Sequence, residues 1–300
     1  MKRSVLLDLL RILAVAAVVL VHIFQMLDHT WGEKFGFPDF YFVSLGGIGV
    51  TVLVIISGIT LGLRYAGSDV IYLDFIKKRI FHIYPTYYVI LIGGIIAYFV
   101  REYYGFGPNP DLSLIDIPLS LTATYVFFGL WGGPFVGASW FLGLIISLYL
   151  IFPVLVAWFR KKPHLTLLVL LIVSTATRFL LGRYDLLPLR SLDWFFLSRV
   201  FEFGLGIYLA IMFPKDFWFI LNGNNVVETV SAYLGKISFP FYLAHGPIRH
   251  TVKHLKHYSF STAEWLSVFL LMTLIASIIV FEFDQRIMVP QINMRFLRRE

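Results

Sequence analysis

The chain has 300 residues, of which 58% are hydrophobic and only 14% are charged, and its net charge is +7. This composition excludes a soluble domain and indicates that lipid surrounds most of the chain. The basic excess does not require a nucleic-acid partner, because cytoplasmic loops of membrane proteins are rich in Lys and Arg and attract anionic membrane lipids. The chain has no cysteine, which excludes disulfides, thiolate catalysis and Cys-ligated metals.

Apolar runs recur along the whole length, and in hydrocarbon each backbone polar group must be paired within its own helix. The sequence therefore predicts an all-α fold, a polytopic membrane helical bundle of about 8 to 10 transmembrane helices, in a single domain over residues 1–300. Spans are predicted at residues 5–27, 42–63, 80–100, 139–159, 164–181, 192–213, 232–249 and 264–285. A shorter apolar run at residues 115–128 is either a short span or a re-entrant segment.

Basic residues cluster between the predicted spans, which gives the expected orientation. The positive-inside bias places these clusters in the cytoplasm, with the N-terminus, and the protein is expected in the plasma membrane. A re-entrant hairpin at residues 115–128 fits this placement, since a full span would reverse the next helix. The basic segment 249–257 then lies on the outer side of the membrane, which conflicts with the positive-inside bias. The clusters are Lys2 and Arg3; Arg64, Lys77, Lys78 and Arg79; Arg160, Lys161 and Lys162; Arg295, Arg298 and Arg299.

Three ionisable residues share the first predicted span, where charged groups are expensive and point to function. Arg11 and His22 are eleven residues apart, which on a helix is about 16 Å of rise and only about 20° out of line. We therefore expect both to face one interior cleft, with Arg11 nearer the cytoplasm. Asp8 lies one turn before Arg11, where it can pair with it. A structural ion pair and a histidine at a helix end remain the alternatives.

Two later residues are also ionisable and lie within predicted apolar spans. Glu202 lies within the predicted span 192–213, one turn after Arg199. It is either a site carboxylate or half of a packing ion pair. His245 stands in an apolar context and is either functional or a core histidine.

Several blocks of the sequence resemble, in order, those of the acyltransferase-3 family of membrane O-acyltransferases. Asp8, Arg11 and His22 match the family's first-helix pattern, and the similarity covers nearly the whole chain. The sequence differs at His82, where many members have a second Arg, and at Ile145 and Ile146, where many have a carboxylate. The similar blocks are GVTVLVIISG at 49–58, FIKKRIFHIYP at 75–85, WFLGLIISLYLIFP at 140–153, RVFEFGLG at 199–206 and LGKISFPFYLAHGP at 234–247.

The resemblance implies transfer of an acyl group, most often acetyl from acetyl-CoA, to a hydroxyl of a glycan or lipid-linked sugar. His22 is then the general base that removes the hydroxyl proton, or a nucleophile that carries the acyl group. Asp8 directs Arg11, and Glu202 orients or tunes His22. Arg11 binds the polar arm of the acyl-CoA donor or steadies developing charge.

A basic loop is placed to meet the phosphates of coenzyme A through Lys78, Arg79 and His82. The positive-inside bias alone also accounts for Lys78 and Arg79. No metal is expected: His250 and His254 have a zinc-like spacing, but no third ligand stands at a recognisable distance, and a basic surface segment is the simpler interpretation.

Two other functions are compatible with the composition. A transporter or flippase would use the same polar cleft to move a glycan or small anion without coenzyme A. Internal repeats, which are typical of many transporters, are absent from the sequence. A scaffold without chemistry would leave the charges of the spans unexplained. No pattern in the sequence specifies an oligomeric state.

Overall fold

The computed structural model describes residues 3–26, 45–105, 111–128, 132–184, 194–253 and 261–288. All regular structure in these residues is helical, as the sequence predicts. The α-helices are α1 Val5–Met26, α2 Leu45–Tyr65, α3 Tyr72–Tyr104, α4 Asp116–Thr122, α5 Ser139–Lys161, α6 Pro163–Arg183, α7 Val200–Met212, α8 Asn225–Lys253 and α9 Thr262–Phe283. Single 3₁₀ turns follow α4 and precede α7 and α8, and a π turn follows α9.

Six of the described helices, α1, α2, α3, α5, α6 and α9, are long and apolar enough to cross a membrane. The predicted count of 8 to 10 is therefore not confirmed. The expected span at 192–213 becomes a 3₁₀ turn and the 13-residue helix α7. A helix of that length rises about 20 Å, less than the hydrocarbon core of a bilayer. The expected span at 232–249 is part of α8, a longer helix that contains Pro240 and Pro247.

Local signals explain where several helices begin and end. Pro163 opens α6 directly after α5, since its missing N–H and restricted φ suit a first helical residue. Gly105 ends α3 in the left-handed conformation, with φ 64°. Ser261 and Glu264 form a capping box that begins α9. Only one residue, Lys162, therefore separates α5 from α6, and α3 is the longest helix described.

Small residues let the helices at the centre of the bundle approach closely. A Cβ on Gly58 of α2 would collide with the backbone of α7 at Phe203, and one on Gly206 would collide with α2. Gly49 of α2 has the same relation to α1, where its Cβ would lie 2.5 Å from the Ala14 carbonyl. Such contacts replace the hydrophobic driving force that lipid does not supply between helices. They hold α2 between α1 and α7.

One end of the bundle carries the basic connections, and we refer to it as the basic end. The N-terminus of α1 lies there, since Arg3 lines the same cavity as Arg64 at the C-terminus of α2. The C-termini of α2 and α5 also lie there, because Arg160 binds the carbonyls of Tyr65 and Ser68. Helices α1, α3 and α8 run away from this end, whereas α2, α5 and α9 run towards it.

The segment expected to be re-entrant forms α4 and the turn Tyr125–Phe128. It packs along α3, because three tyrosine hydroxyls of α3 donate to backbone carbonyls of this segment. These bonds join Tyr84 to Thr122, Tyr87 to Ser120 and Tyr88 to Leu121. Its depth in a bilayer stays a prediction.

Several residues of the sequence argument lie outside the described residues: Lys2, His254, His257, Arg295, Arg298 and Arg299.

Candidate active site

Asp8 is the centre of a charged cluster at the basic end. This residue is 3% exposed, and its carboxylate accepts hydrogen bonds from two arginines. Arg11 Nη1 lies 2.8 Å from Asp8 Oδ1, as the one-turn spacing predicts, and Arg3 Nε lies 2.9 Å from Oδ2. Gly235 of α8 fits against this carboxylate, because a Cβ there would lie 2.6 Å from Oδ1. One buried carboxylate thus fixes two guanidinium groups.

A cavity of about 480 Å³ opens beside this cluster, between α1, α2, α3, α5, α8 and α9. Both arginines that bind Asp8 line it. So do three further basic side chains, Arg64, Arg79 and Lys236. The carboxylate of Asp284 is also in its wall. Cations therefore outnumber carboxylates around the cavity, which favours an anionic ligand.

The residues expected in a basic loop lie instead within the first turns of α3, and two of the three line this cavity. Arg79 and His82 line it, while Lys78 is exposed and is not part of the wall. The Arg79 guanidinium lies 5.6 Å from the Phe75 ring centroid, and its Nε is buried without a hydrogen-bond partner among the described residues. An unpaired buried donor is costly, so this arginine is suited to an incoming acceptor such as a phosphate.

His22 lies farther along α1, towards the opposite end, and it does not line the cavity. Its ring contacts His245 of α8 edge to face, with 4.9 Å between the ring centroids. His245 is buried and its Nδ1 hydrogen-bonds the Tyr242 carbonyl, which assigns the proton to Nδ1 and leaves Nε2 as an acceptor in the neutral ring. His22 Nδ1 is buried without a partner among the described residues.

Tyr242 separates the cavity from the histidine pair. Its ring lines the cavity and lies 5.6 Å from the His245 ring on the other side. Phe141 of α5 packs against it at 5.1 Å, also in the cavity wall. The expectation that Arg11 and His22 face one cleft therefore needs correction. The two residues lie on the same side of α1, but the rings of Phe141 and Tyr242 lie between the cavity beside Arg11 and the histidine pair.

The comparison with known proteins identifies the family. The profile of the acyltransferase-3 domain, described as an acyltransferase domain, matches residues 5–223. The chain belongs to the acyltransferase-3 family. No curated protein and no solved structure gives a match. The protein is therefore a membrane acyltransferase. The match ends before α8, so Gly235, Tyr242 and His245 lie outside the matched residues.

Glu202 occupies a different part of this acyltransferase from the one expected. Its Oε1 lies 3.0 Å from Arg178 Nη2 of α6 and 3.2 Å from Arg199 Nη1, and Arg199 also donates to Thr51 of α2. These contacts agree with the packing ion pair that the sequence left open, and they join α2, α6 and α7. The structure shows Glu202 bound to these arginines rather than to His22.

Arg3, Lys236 and Tyr242 are among the residues of the site that were not identified from the sequence. Arg3 and Lys236 look like ordinary basic residues beside a span, and Tyr242 looks like one aromatic residue among many. The signal for Arg3 was present, since it lies five residues before Asp8, within reach of its carboxylate. Tyr242 had no such signal, because its position between cavity and histidines depends on how α5 and α8 pack.

Proposed function

We propose that this acyltransferase moves an acyl group, acetyl in the simplest case, from a coenzyme A thioester to a hydroxyl of a glycan or lipid-linked sugar. One observation carries the proposal: Arg11 from α1 and Arg79 and His82 from α3, which are far apart in sequence, line a single cavity. A cation-rich cavity is the site expected for the phosphates of the donor. The positive-inside rule places its opening in the cytoplasm, where coenzyme A is found.

The donor phosphates would bind at the opening of the cavity, against Arg79 and its neighbours. Guanidinium groups match phosphate oxygens in pairs, and Arg79 Nε has no competing partner among the described residues. Arg11 lies deeper, where Asp8 holds its side chain in place. It would face the polar arm of the donor or the charge that develops on the thioester oxygen.

His22 would act as the general base at the far side of Tyr242. A hydroxyl is a weak nucleophile near neutral pH, so the base takes its proton while the oxygen attacks the thioester carbonyl carbon. The C–S bond then breaks and the coenzyme A thiolate leaves and is protonated. The acceptor would approach His22 from the opposite end of the bundle. Transfer requires the Tyr242 ring to move from between the cavity and the histidines.

Adjacent residues of α3 provide a test of the donor site. Arg79→Ala should weaken acetyl-CoA binding to the purified protein by about 10-fold or more, since a hydrogen bond to a charged group contributes about 1.5–3 kcal/mol. Lys78→Ala is the matched control, because Lys78 is exposed and outside the cavity wall. Calorimetry should show nearly unchanged binding for the control. Equal losses in both variants would indicate non-specific attraction to the basic residues at the start of α3 and contradict the assignment.

The role of His22 requires a separate experiment. His22→Ala should retain acetyl-CoA binding but lower transfer of radiolabelled acetyl to membrane glycans by about 100-fold or more, the usual contribution of a general base. Unchanged transfer by this variant would exclude His22 from the chemistry. A transporter, the alternative from the sequence, would move its substrate with no dependence on coenzyme A.

A further inference from the structure

The polarity of the cavity wall changes along the bundle axis. Its opening at the basic end carries Arg3, Arg64, Arg79 and Lys236. Farther from that end the wall includes the hydroxyl of Thr86 on α3 and six side chains that we refer to as the deep end. They are apolar except for one phenol hydroxyl: Val15, Leu53, Phe141, Leu142, Ile145 and Tyr242.

The direction of each helix places these residues farthest from the basic end. On α1, Val15 follows Arg11 by one turn in the direction away from that end. On α2, Leu53 is the cavity residue farthest from Arg64. On α5, which runs towards the basic end, the apolar wall residues extend from Phe141 to Ile145, about 6 Å along the axis. The apolar stretch is thus longer than a two-carbon acetyl group.

The side chains of the deep end are also mostly buried. Leu142 is 1% exposed, Ile145 6% and Tyr242 2%. Phe141 and Tyr242 contact each other across the far wall. A ligand that enters from the basic end therefore meets cations first, then the hydroxyls of Ser57 and Tyr149, and an apolar pocket last.

We propose that the deep end binds an acyl chain longer than acetyl, so that the donor carries a short to medium apolar acyl group. The inference rests on the proposed function, because the cations at the opening identify the ligand's other end as the phosphates of a coenzyme A thioester. Burying each methylene group from water contributes about 0.8 kcal/mol, which is about fourfold in affinity. An acetyl group would contact only the entrance of the deep end and would gain little from it.

Binding of a series of donors tests the proposal. Calorimetry on the purified full-length protein would compare coenzyme A, acetyl-CoA, butanoyl-CoA and hexanoyl-CoA below the concentrations at which these form micelles. We expect Kd to fall with each added methylene by up to about fourfold until the chain reaches Tyr242. Equal affinity for all three thioesters would overturn the proposal.

Two neighbouring isoleucines of α5 provide a matched pair of variants. Ile145→Phe should shorten the deep end and abolish the gain in affinity from butanoyl-CoA to hexanoyl-CoA. Ile146 is not part of the cavity wall, so Ile146→Phe should preserve the gain. Coenzyme A without an acyl group should bind both variants as it binds the wild type, which shows that they are folded. If both variants bound hexanoyl-CoA no more tightly than butanoyl-CoA, the result would contradict a specific acyl pocket.

A lipid phosphate could present the same chemistry, an anionic head and an apolar chain. Hexanoyl-lysophosphatidic acid, added as a competitor, distinguishes the two sources. We expect it to displace hexanoyl-CoA only weakly; displacement at equal concentration would assign the cavity to a lipid and overturn the inference. A folded protein that binds neither coenzyme A nor any thioester would refute the proposed function itself, a result distinct from binding without chain-length dependence.

Discussion

Asp8 illustrates how one residue organises the site. Two guanidinium groups that both line the cavity, those of Arg3 and Arg11, hydrogen-bond its carboxylate. Without that carboxylate the two cations would face each other in a partly buried position, which is unfavourable. With it they are held in place, and each retains donors for a ligand. The carboxylate therefore acts on the ligand through the arginines it holds.

Removal of this charge should affect both stability and binding. Asp8→Asn should lower Tm in detergent and weaken acetyl-CoA binding, because breaking a buried ion pair costs about 3–5 kcal/mol. Asp69→Asn is the control: that residue also faces an arginine, Arg160 at 3.4 Å, but its side chain is fully exposed. Thermal unfolding and calorimetry on both variants check the prediction. Equal behaviour of the two would mean that Asp8 does not organise the cavity.

Sequence spacing identified the parts of the site that lie within one turn of a helix. The pairing of Asp8 with Arg11 follows directly from the geometry of α1, and the structure contains it. Contacts between distant helices could not be derived in this way. The layer of Tyr242 between Arg11 and His22 depends on the packing of α5 against α8. The partners of Glu202 similarly come from α6 and from the turn before α7.

At the scale of helices, hydropathy predicted the long spans better than the short ones. Six predicted spans correspond to described helices long enough to cross a membrane. The spans expected at 192–213 and 232–249 are not among them, for different reasons. In the first, a 3₁₀ turn at Phe196–Arg199 shortens the α-helix. In the second, α8 has 29 residues and is long enough, but it is less apolar than the six spans.

Substitution of two adjacent glycines of α3 tests how closely this helix contacts the segment before α5. A Cβ on Gly94 would lie 2.5 Å from the Phe135 carbonyl, whereas one on Gly93 would meet nothing within 4 Å. Gly94→Ala should therefore destabilise the protein by about 1–3 kcal/mol through overpacking. Gly93→Ala should stabilise it by up to about 1 kcal/mol, the helix preference of Ala over Gly. Unfolding of both variants in detergent measures the difference, and a loss for Gly93→Ala equal to that for Gly94→Ala would contradict the packing.

For the whole molecule, the orientation in the membrane connects the fold to the proposed chemistry. The cavity opens at the basic end, among Arg3, Arg64 and Arg79. Its proposed donor is a cytoplasmic metabolite, and the positive-inside rule independently places basic connections in the cytoplasm. The His22–His245 pair lies towards the opposite end. Donor and acceptor would therefore reach the site from opposite sides of the membrane.

Labelling of single cysteines tests this orientation directly, since the natural chain has none. Ser68 is exposed at the basic end and Ala263 is exposed in the first turn of α9, at the opposite end. In intact cells a membrane-impermeant maleimide should label Ala263→Cys at once and Ser68→Cys only after permeabilisation. The reverse pattern would place the cation-rich opening outside the cell. Coenzyme A thioesters could not then reach it from the cytoplasm, and the donor proposal would fail even if the purified protein bound them.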